Sequence, residues 1–240
     1  IRDRKWSLTM NIQQRLQRVL DYINGNTRIA DIGSDHAKLL IKAHELGKLE
    51  FGIAGEVVNG PFNASVEAIQ SAGLSHKVDV RLGDGLTVVN PSDEIDTATI
   101  CGMGQELIAH ILHKQLDRLN SIQHVICQSN TFSYLIRDEL VAQNFEIMDE
   151  LIMRENGHTY EIIYAKRNHE KVPKLSEKER QFGPVLLKEK GEMFDLRYQN
   201  EIQHLEKIVH KIDESKHRDK VVSLTERINM IKEVIDDENQ

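Results

Sequence analysis

The sequence has few of the residues that define several large protein classes. Its 240 residues include two cysteines, and aromatic residues make up only 5%. The two thiols, Cys101 and Cys127, are too few for a disulfide framework and lack the spacing of a zinc site. No run approaches the roughly 18 apolar residues of a membrane-spanning helix, and residues 1–9 lack the apolar stretch of a signal peptide. We therefore expect a cytoplasmic protein from a reducing compartment, with no membrane partner.

The charge balance excludes one further class. The formal net charge is -7, whereas a dedicated nucleic-acid-binding module is basic. An enzyme that acts on nucleic acid is not excluded, because its contacts can come from one local basic patch. With 40% hydrophobic residues, the chain can bury a sizeable core in one large domain, or in one domain and an appendage.

The N-terminal segment 1–9 differs from the rest of the sequence. The chain does not start with methionine, and Met10 opens a regular amphipathic pattern. We interpret residues 1–9, which contain the only tryptophan, as vector-derived, and leave them out of the fold prediction. A genuine N-terminal extension is the alternative.

Apolar runs and helical patterns alternate over residues 10–168. Strands are predicted at Arg28–Ile32, Phe51–Glu56, Val78–Leu82, Thr97–Ile100 and His124–Cys127. Helices are predicted at Ile12–Ile23, Ala37–Leu46, Pro61–Ser71, Gly104–Leu119 and Tyr134–Gln143. This alternation predicts an α/β fold with a parallel sheet. Two further strands, Phe145–Met153 and Thr159–Lys166, are separated by a short loop and predict an antiparallel end to the sheet.

The character of the sequence changes over residues 169–240. After a polar stretch that contains Pro173, no strand pattern remains, and two apolar stripes repeat at intervals of three and four residues. The narrow stripes, joined by the polar segment 213–219, predict an antiparallel helical hairpin with a coiled-coil-like seam. Two ordinary helices packed on the body are the alternative. The predicted division is therefore a body over residues 10–168 and a helical domain over residues 169–240.

Acidic residues and glycines follow the first three strands. The first strand leads into Asp31 and Gly33, but the G-x-G-x-x-G pattern of a dinucleotide site is missing. An acidic loop suits a ligand with a cationic end, and S-adenosylmethionine carries a sulfonium and an ammonium group. Glu56 after the second strand can accept bonds from ribose hydroxyls, and Asp84 after the third can accept from an adenine amino group. Each residue alone could be a helix cap or turn former; together they predict a nucleoside site.

The fourth and fifth strands end in residues suited to the reacting groups. Gly102, beside Met103, allows close approach of backbone and substrate to the reactive end of the cofactor. The amides of Gln128 and Asn130 could read the edge of a base, or cap the helix that follows. Cys101 has the features of a small buried packing residue.

These runs closely resemble the bacterial tRNA (adenine(22)-N(1))-methyltransferase family. The resemblance rests on DIGSDHA, IAGEVVNGPF, CGMG, QSN, GHTYEI and QFGP, and it covers essentially all of the chain from Met10 onward. It implies a Rossmann-like class I methyltransferase sheet with a C-terminal coiled coil, and methylation of an adenine in the D-arm region of tRNA. The chain departs from the family at Gln105, where glycine is frequent, and at Ser129, where proline is frequent.

The resemblance also assigns roles to residues. It implies that the cofactor is lined by Asp31, Gly33, Ser34, Asp35, Glu56, Val57, Asp84, Gly85 and Gly102. Adenine N1 already has a lone pair, so methyl transfer requires alignment more than proton transfer. The candidates to hold the base beside the methyl donor are Asn130 and Met103.

Contacts with RNA are predicted with a structural alternative for each. His36 and Tyr160 could stack on a base that is swung out of the helix, or have structural roles. Arg15 could meet the cofactor carboxylate or a phosphate. The C-terminal cations that could contact phosphates, or form a solvated charged face, are Lys188, Lys190, Arg197, Lys207, Lys211, Lys216, Arg218 and Lys220.

Other functions remain open from the residues alone. The methyltransferase could act on another RNA or on a small molecule. A nicotinamide-dependent oxidoreductase is disfavoured by the missing glycine pattern, and a non-enzymatic scaffold could use the hairpin to bind a protein. No metal and no obligatory protein partner are predicted.

Overall fold

The computed structural model of the protein describes residues 12–115 and 120–236. The predicted extension at residues 1–9 and the end of the predicted fourth helix lie outside the described residues. The strands are β1 Thr27–Ile32, β2 Leu49–Glu56, β3 Val78–Leu82, β4 Thr97–Met103, β5 His124–Ser129, β6 Phe145–Glu155 and β7 His158–Arg167. The helices of the described ranges are α1 Gln14–Asp21, α2 Lys38–Glu45, α3 Asn59–Ser71, α4 Gln105–Gln115, α5 Tyr134–Ala142, α6 Glu177–Phe182, α7 Leu186–Glu189, α8 Glu192–Lys211 and α9 Glu214–Asp236.

All seven strands form one sheet in the order β3-β2-β1-β4-β5-β7-β6. The first five strands are parallel, and β7 lies antiparallel between β5 and β6. This confirms the predicted mostly parallel sheet with an antiparallel end. The strand order changes direction between β1 and β4, and open α/β sheets bind ligands beyond the carboxyl ends of the strands at such a point.

The sheet is covered by an apolar layer on each face. Five of the six residues of β1 are buried, Asp31 among them, as expected for a parallel strand that is covered on both faces. Cys127 belongs to the core on one face, and Cys101 belongs to the core on the other. The two thiols are therefore separated by the sheet itself.

Some element boundaries differ from the predicted ones. β4 and β5 continue to Met103 and Ser129 because the two strands stay paired beyond an irregularity after Cys101. Helix α3 starts at Asn59, so that Pro61 lies in its first turn, where a missing N–H is tolerated. Helices α6 and α7 were not predicted, since they are too short to show a period.

Contacts between Cα atoms divide the chain into two compact units, one ending at Leu187 and the other starting at Lys188. The predicted division after residue 168 follows the composition instead and stays a prediction. The segment 169–187 belongs with the sheet because Arg180 of α6 binds Asp138 of α5 at 2.7 Å, and because the backbone of Val185 bonds to β6. The composition of the chain changes at residue 169, whereas the boundary between the two compact units follows Leu187.

The second unit consists mainly of the two long helices α8 and α9, with the joint at Ile212 and Asp213. The helices contact each other through the ion pairs Glu201–Arg227, at 2.9 Å, and Glu206–Lys232, at 3.1 Å. The two helices agree with the predicted hairpin, but the predicted polar connector 213–219 is too long, because α9 already starts at Glu214 and has a non-helical backbone at His217. None of the helices within the described ranges is both long and apolar enough to cross a membrane.

A buried ionic cluster joins the last strands of the sheet to the segment before the second unit. Arg137 of α5 is fully buried; it donates from Nε to Glu150 at 2.6 Å and from NH2 to Glu161 at 3.4 Å. Its NH1 donates to the carbonyl oxygen of Arg180 at 3.3 Å. The second oxygen of Glu150 accepts from the backbone N–H of Val185 at 2.9 Å. Arg137 therefore connects four elements of the fold, which are α5, α6, β6 and β7.

The glycine of the QFGP run lies directly against this cluster. Gly183 has φ +94°, and a Cβ there would lie 2.4 Å from Oε2 of Glu150. A side chain at this position would therefore displace the carboxylate, and the left-handed backbone also favours glycine. The run thus has a packing role in holding the chain against β6.

Replacement of Arg137 by methionine should lower the free energy of unfolding by about 3–5 kcal/mol, because Glu150 and Glu161 would stay buried without their partner. Urea denaturation followed by circular dichroism measures the change. The control is Arg180→Met, which breaks the partly exposed pair with Asp138 and should lose about 1 kcal/mol or less. Equal losses of unfolding free energy in the two variants would show that the buried cluster does not stabilise the fold more than the partly exposed ion pair does.

Candidate functional site

Asp31 is a buried carboxylate at the carboxyl end of β1. Its side chain accepts hydrogen bonds from the hydroxyls of Ser34, at 2.6 Å, and Thr99, at 2.7 Å. Burial is the largest influence on this group and raises its pKa from 3.8 to about 6, against the effect of the two hydrogen bonds. The ionised form has lost its hydration, so a cation placed beside it would be strongly favoured.

The loop after Asp31 has an unusual backbone conformation. Gly33 has φ +71°, and the three successive residues Asp35, His36 and Ala37 have φ values of 43°, 67° and 52°. The left-handed region costs a non-glycine residue about 1–2 kcal/mol. Strain of this kind persists only where the surroundings impose it, and it is concentrated at functional sites.

Gly33 is also the place where this loop meets the end of β4. The left-handed backbone at Gly33 favours glycine, and a Cβ there would overlap Cε of Met103 and displace that flexible side chain. The N–H of Gly33 donates to the carbonyl oxygen of Gly55 in β2 at 2.9 Å. Two predicted site residues, Gly33 and Met103, are therefore in direct contact.

Glu56, the last residue of β2, holds the strained loop in place. Its Oε1 accepts from the N–H of Asp35 at 2.9 Å and from the hydroxyl of Ser65 at 3.3 Å. Burial raises the pKa of this carboxyl, more than the hydrogen bonds lower it. No hydrogen bond from the described residues reaches Oε2, so that oxygen is available to a ligand.

Large apolar side chains are exposed next to Glu56. Val57 is 66% exposed, Val58 is 57% exposed and Leu82 is 50% exposed. Leu82 ends β3 and pairs directly with Glu56 of β2, so an apolar surface and a carboxylate share one corner of the sheet. Such a combination suits a ligand with a flat apolar part and hydroxyl groups.

Asp84 and Gly85 form the turn after β3. Asp84 is exposed, and Gly85 has φ +56°. Gln115 of α4 supports the turn, because its Oε1 accepts from the N–H of Leu86. A Cβ at Gly85 would lie 2.5 Å from the same oxygen. The supporting role of Gln115 was not predicted, and its only signal in the sequence is a polar residue near the end of an apolar helix.

The end of β4 has an irregularity at Gly102. This residue has φ +78°, and no atom lies within 4 Å of where its Cβ would be. The adjacent Cys101 is buried, and burial raises the pKa of its thiol well above the usual value. The thiol is therefore protonated at neutral pH and is a packing group rather than a nucleophile.

Gln128 and Asn130 lie beside this irregularity and bond to it. The N–H of Asn130 donates to the carbonyl oxygen of Met103 at 2.8 Å, and its side-chain Nδ2 donates to the carbonyl oxygen of Gly102 at 2.7 Å. The N–H of Gly102 donates to Oε1 of Gln128 at 3.0 Å. The structure thus brings together the residues predicted at the reacting end of the site.

Ser129 stands where proline is frequent in the family that the chain resembles. Its Oγ accepts from the N–H of Thr131 at 3.1 Å and donates to the carbonyl oxygen of Phe132 at 3.3 Å. The hydroxyl therefore holds the turn by hydrogen bonds, where proline would hold it by its ring.

Arg15 of α1 already has partners within the protein. It forms an ion pair with Glu155 at 3.1 Å, donates to Oε1 of Gln128 at 3.1 Å, and lies 5.3 Å from the ring centre of Tyr160. Tyr160 is therefore close to the amide pair, as a stacking residue would have to be. His36 is half exposed, and its Nε2 lies 3.7 Å from a carboxylate oxygen of Asp35.

The predicted C-terminal cations differ in their exposure. Lys190 donates to the carbonyl oxygen of Val234 at 2.7 Å, Arg197 is only partly exposed, and Lys216 pairs with Asp213 at 3.3 Å. No such bond to another described residue is made by the remaining exposed cations of the set, which are Lys188, Lys207, Lys211, Arg218 and Lys220. Within the described ranges, no group of three or more histidine, cysteine or acidic residues is arranged to hold a metal ion.

Comparisons with known proteins agree with this geometry. The family model described as tRNA (adenine(22)-N(1))-methyltransferase matches residues 29–233. The chain is 36% identical over 235 residues to the protein of that name from Bacillus subtilis, covering 95% of this chain and 98% of that protein.

Solved structures are similar over nearly the whole chain. A putative tRNA (m1A22) methyltransferase of Streptococcus pneumoniae, in complex with S-adenosyl-L-methionine, has a TM-score of 0.84 and 35% identity over 93% of this chain and 99% of its own. Mycoplasma capricolum TrmK, in complex with the cofactor product S-adenosyl-homocysteine, has a TM-score of 0.84 and 31% identity over 94% and 98% of the two chains.

The fold, the acidic strand ends and these relatives all agree with what the motifs predicted, and they exclude the nicotinamide-dependent alternative. The chain belongs to the tRNA (adenine(22)-N(1))-methyltransferase family, the S-adenosylmethionine-dependent enzymes that the sequence resembles.

Proposed function

We propose that this chain transfers a methyl group from S-adenosylmethionine to N1 of the adenine at position 22 of tRNA, at the carboxyl ends of β1 to β5. One observation carries the residue assignment. Asp31, Glu56 and Asp84 end three neighbouring strands of the sheet, beside the point where the strand order changes direction. Ligands of open α/β sheets bind at this point.

The residues present fit the cofactor by charge and by space. S-adenosylmethionine supplies a methyl group on a positively charged sulfur, and it also carries an ammonium group and two ribose hydroxyls. The buried carboxylate of Asp31 favours a cation nearby, while the free Oε2 of Glu56 can accept from hydroxyls. The exposed Val57 and Leu82 offer an apolar contact to an adenine ring, and Asp84 can accept from its amino group.

The residues at the ends of β4 and β5 would place the target base. N1 of adenine carries a lone pair, so no protein group has to remove a proton before the attack, and alignment is the main requirement. Asn130 is exposed and bonds to both Gly102 and Met103, so it can hold the base against a fixed backbone. Tyr160, with Arg15 over its ring, can stack on a base that has left the helix.

A direct test uses labelled S-adenosylmethionine and total tRNA, followed by digestion and identification of the modified nucleoside. The expected product is 1-methyladenosine at position 22. A label on another nucleoside, or on no RNA at all, would favour the alternatives of a different substrate or a non-enzymatic scaffold.

The Asp31→Asn variant should bind the cofactor more weakly and yet be more stable without it. The folded state keeps a proton on Asp31 up to about pH 6, whereas the ordinary pKa of an aspartate is 3.8. The free energy of unfolding therefore falls as the pH rises from about 3.8 to about 6. The variant should therefore be more stable by about 3 kcal/mol at pH 7, since the hydroxyls of Ser34 and Thr99 can bond to an amide. Its cofactor affinity should fall by about 1–3 kcal/mol because a charged hydrogen bond to the ligand is removed.

Denaturation at pH 5 and pH 7 and titration calorimetry with the cofactor measure the two effects. The control is Asp93→Asn, because Arg81 lowers the pKa of Asp93, and its stabilising contribution is present at pH 7 and lost as the pH falls. The control should lose stability at pH 7 and keep its cofactor affinity. Unchanged cofactor affinity in Asp31→Asn would contradict the assignment of Asp31.

We also propose that the second unit supplies contacts to tRNA phosphates. Lys207 and Lys211 lie exposed on the last turns of α8, and Arg218 and Lys220 lie exposed near the start of α9. The turn between the two helices is therefore flanked by cations, although the chain as a whole is acidic. Positive side chains in one region can bind phosphates by releasing counterions, which makes binding dependent on salt.

The double variant Lys207→Glu with Lys211→Glu should lower kcat/KM for tRNA. The plot of the logarithm of tRNA affinity against the logarithm of salt concentration should become less steep, by about one for each phosphate that is no longer bound. Cofactor affinity should not change. The matched control reverses Lys171 and Lys174, two exposed lysines on either side of Val172, whose N–H donates to Asn144. Equal effects of both pairs would indicate a general effect of net charge instead of a direct phosphate contact.

The proposed location and partners follow from this function. The free thiols Cys101 and Cys127 and a tRNA substrate are compatible with the cytoplasm, where thiols stay reduced. We propose tRNA as the macromolecular partner and no obligatory protein partner.

A further inference from the structure

Gln128 forms a closed ring of hydrogen bonds with Asn130 and Gly102. The N–H of Gly102 donates to Oε1 of Gln128 at 3.0 Å, Nε2 of Gln128 donates to Oδ1 of Asn130 at 3.1 Å, and Nδ2 of Asn130 donates to the carbonyl oxygen of Gly102 at 2.7 Å. The ring starts at the backbone N–H of Gly102 and closes at the carbonyl oxygen of the same residue.

The direction of every bond in the ring is fixed. A backbone N–H can only donate and a backbone carbonyl can only accept, so Gly102 decides which atom of each amide faces it. Arg15 adds a second obligate donor to Oε1 of Gln128, at 3.1 Å. Neither amide can rotate by 180° without placing two donors or two acceptors against each other.

Gln128 is fully buried, whereas Asn130 is exposed. Only Asn130 can therefore touch a substrate, and Gln128 acts through it. One lone pair of Oδ1 is used by Gln128, which leaves the second for a ligand. The ring thus keeps an acceptor available next to Gly102 and Met103.

Adenine and guanine differ in the groups at and beside N1, which are the groups that such an acceptor would meet. Adenine presents an amino donor beside N1 and its lone pair, whereas guanine presents a carbonyl oxygen beside an N1–H group. An acceptor on the protein would bond to the amino group of adenine and leave N1 free to react. The same acceptor would repel the oxygen of guanine.

We propose that Gln128 is a positioning residue that fixes the amide of Asn130 with its oxygen available to the amino group of the target adenine. This inference rests on the proposed function, because it assigns the target base to the surface of Asn130. According to this inference, the preference for adenine depends on Gln128, a residue that the substrate does not touch.

The test compares tRNA carrying adenosine at position 22 with the same tRNA carrying purine ribonucleoside, which keeps N1 and lacks the amino group. The wild-type protein should methylate the adenosine substrate about tenfold faster or more in single turnovers, because the missing amino group leaves the acceptor unpaired. In Gln128→Glu and Gln128→Met the rate ratio of the two substrates should fall by about fivefold or more, to the ratio measured in Asn130→Ala, which reports the lower intrinsic reactivity of N1 in a purine without an amino group. The carboxylate of the first variant keeps an acceptor for Gly102 and Arg15 but has no donor for Asn130.

The matched control is Gln105→Met, which changes another buried glutamine near the site. Gln105 accepts from Leu135 through Oε1 at 3.1 Å and does not contact Asn130, so the wild-type ratio should remain. In an Asn130→Ala background, Gln128→Met should change the ratio no further. Cofactor affinity, measured by calorimetry, should stay the same in all folded variants.

A wild-type ratio in the Gln128 variants would overturn the inference, and so would a wild-type protein that does not distinguish the two substrates while methylating adenosine. Those outcomes would leave the proposed function intact. Failure to methylate the adenosine tRNA at all would instead reject the proposed function.

Discussion

The buried carboxylate of Asp31 is the constraint around which the carboxyl edge of the sheet is arranged. Two hydroxyls replace part of its lost hydration, yet its pKa stays high because two neutral donors do not substitute for water. The charge would be better stabilised by a cation. A positively charged ligand would therefore relieve an unfavourable buried charge, and natural proteins give up stability in this way where function requires it.

The rest of the candidate site is formed by two segments, the loop after β1 and the end of β4. The loop after β1 has a left-handed backbone at three successive residues, and Glu56 holds it by accepting from the N–H of Asp35. The end of β4 packs against it where Met103 meets Gly33. Because Met103 and Gly33 touch, a change at the end of β4 would also alter the loop after β1.

The sequence allowed the strand ends to be predicted, because each apolar run is followed by an acidic residue or a glycine, as at Asp31, Glu56 and Asp84. Their supports were not predicted. Thr99 comes from the middle of β4 and Gln115 from the end of α4, and such contacts depend on how elements pack, not on spacing along the chain. The predicted boundary near residue 168 follows the composition, whereas the contacts of Val185 with Glu150 and of Arg180 with Asp138 come from packing.

The bonds of Glu150 have a consequence for folding during synthesis. The carboxylate lies in β6, but it accepts from the N–H groups of Val185 and Leu186, which are made 35 and 36 residues later. Chains fold as they emerge, from the N-terminal end onward. A nascent chain that has not yet reached Leu186 must therefore bury Glu150 without these donors or leave the last strands loose. The sheet reaches full stability only when the ribosome has passed this segment, so a prematurely ended chain would stay exposed to proteases.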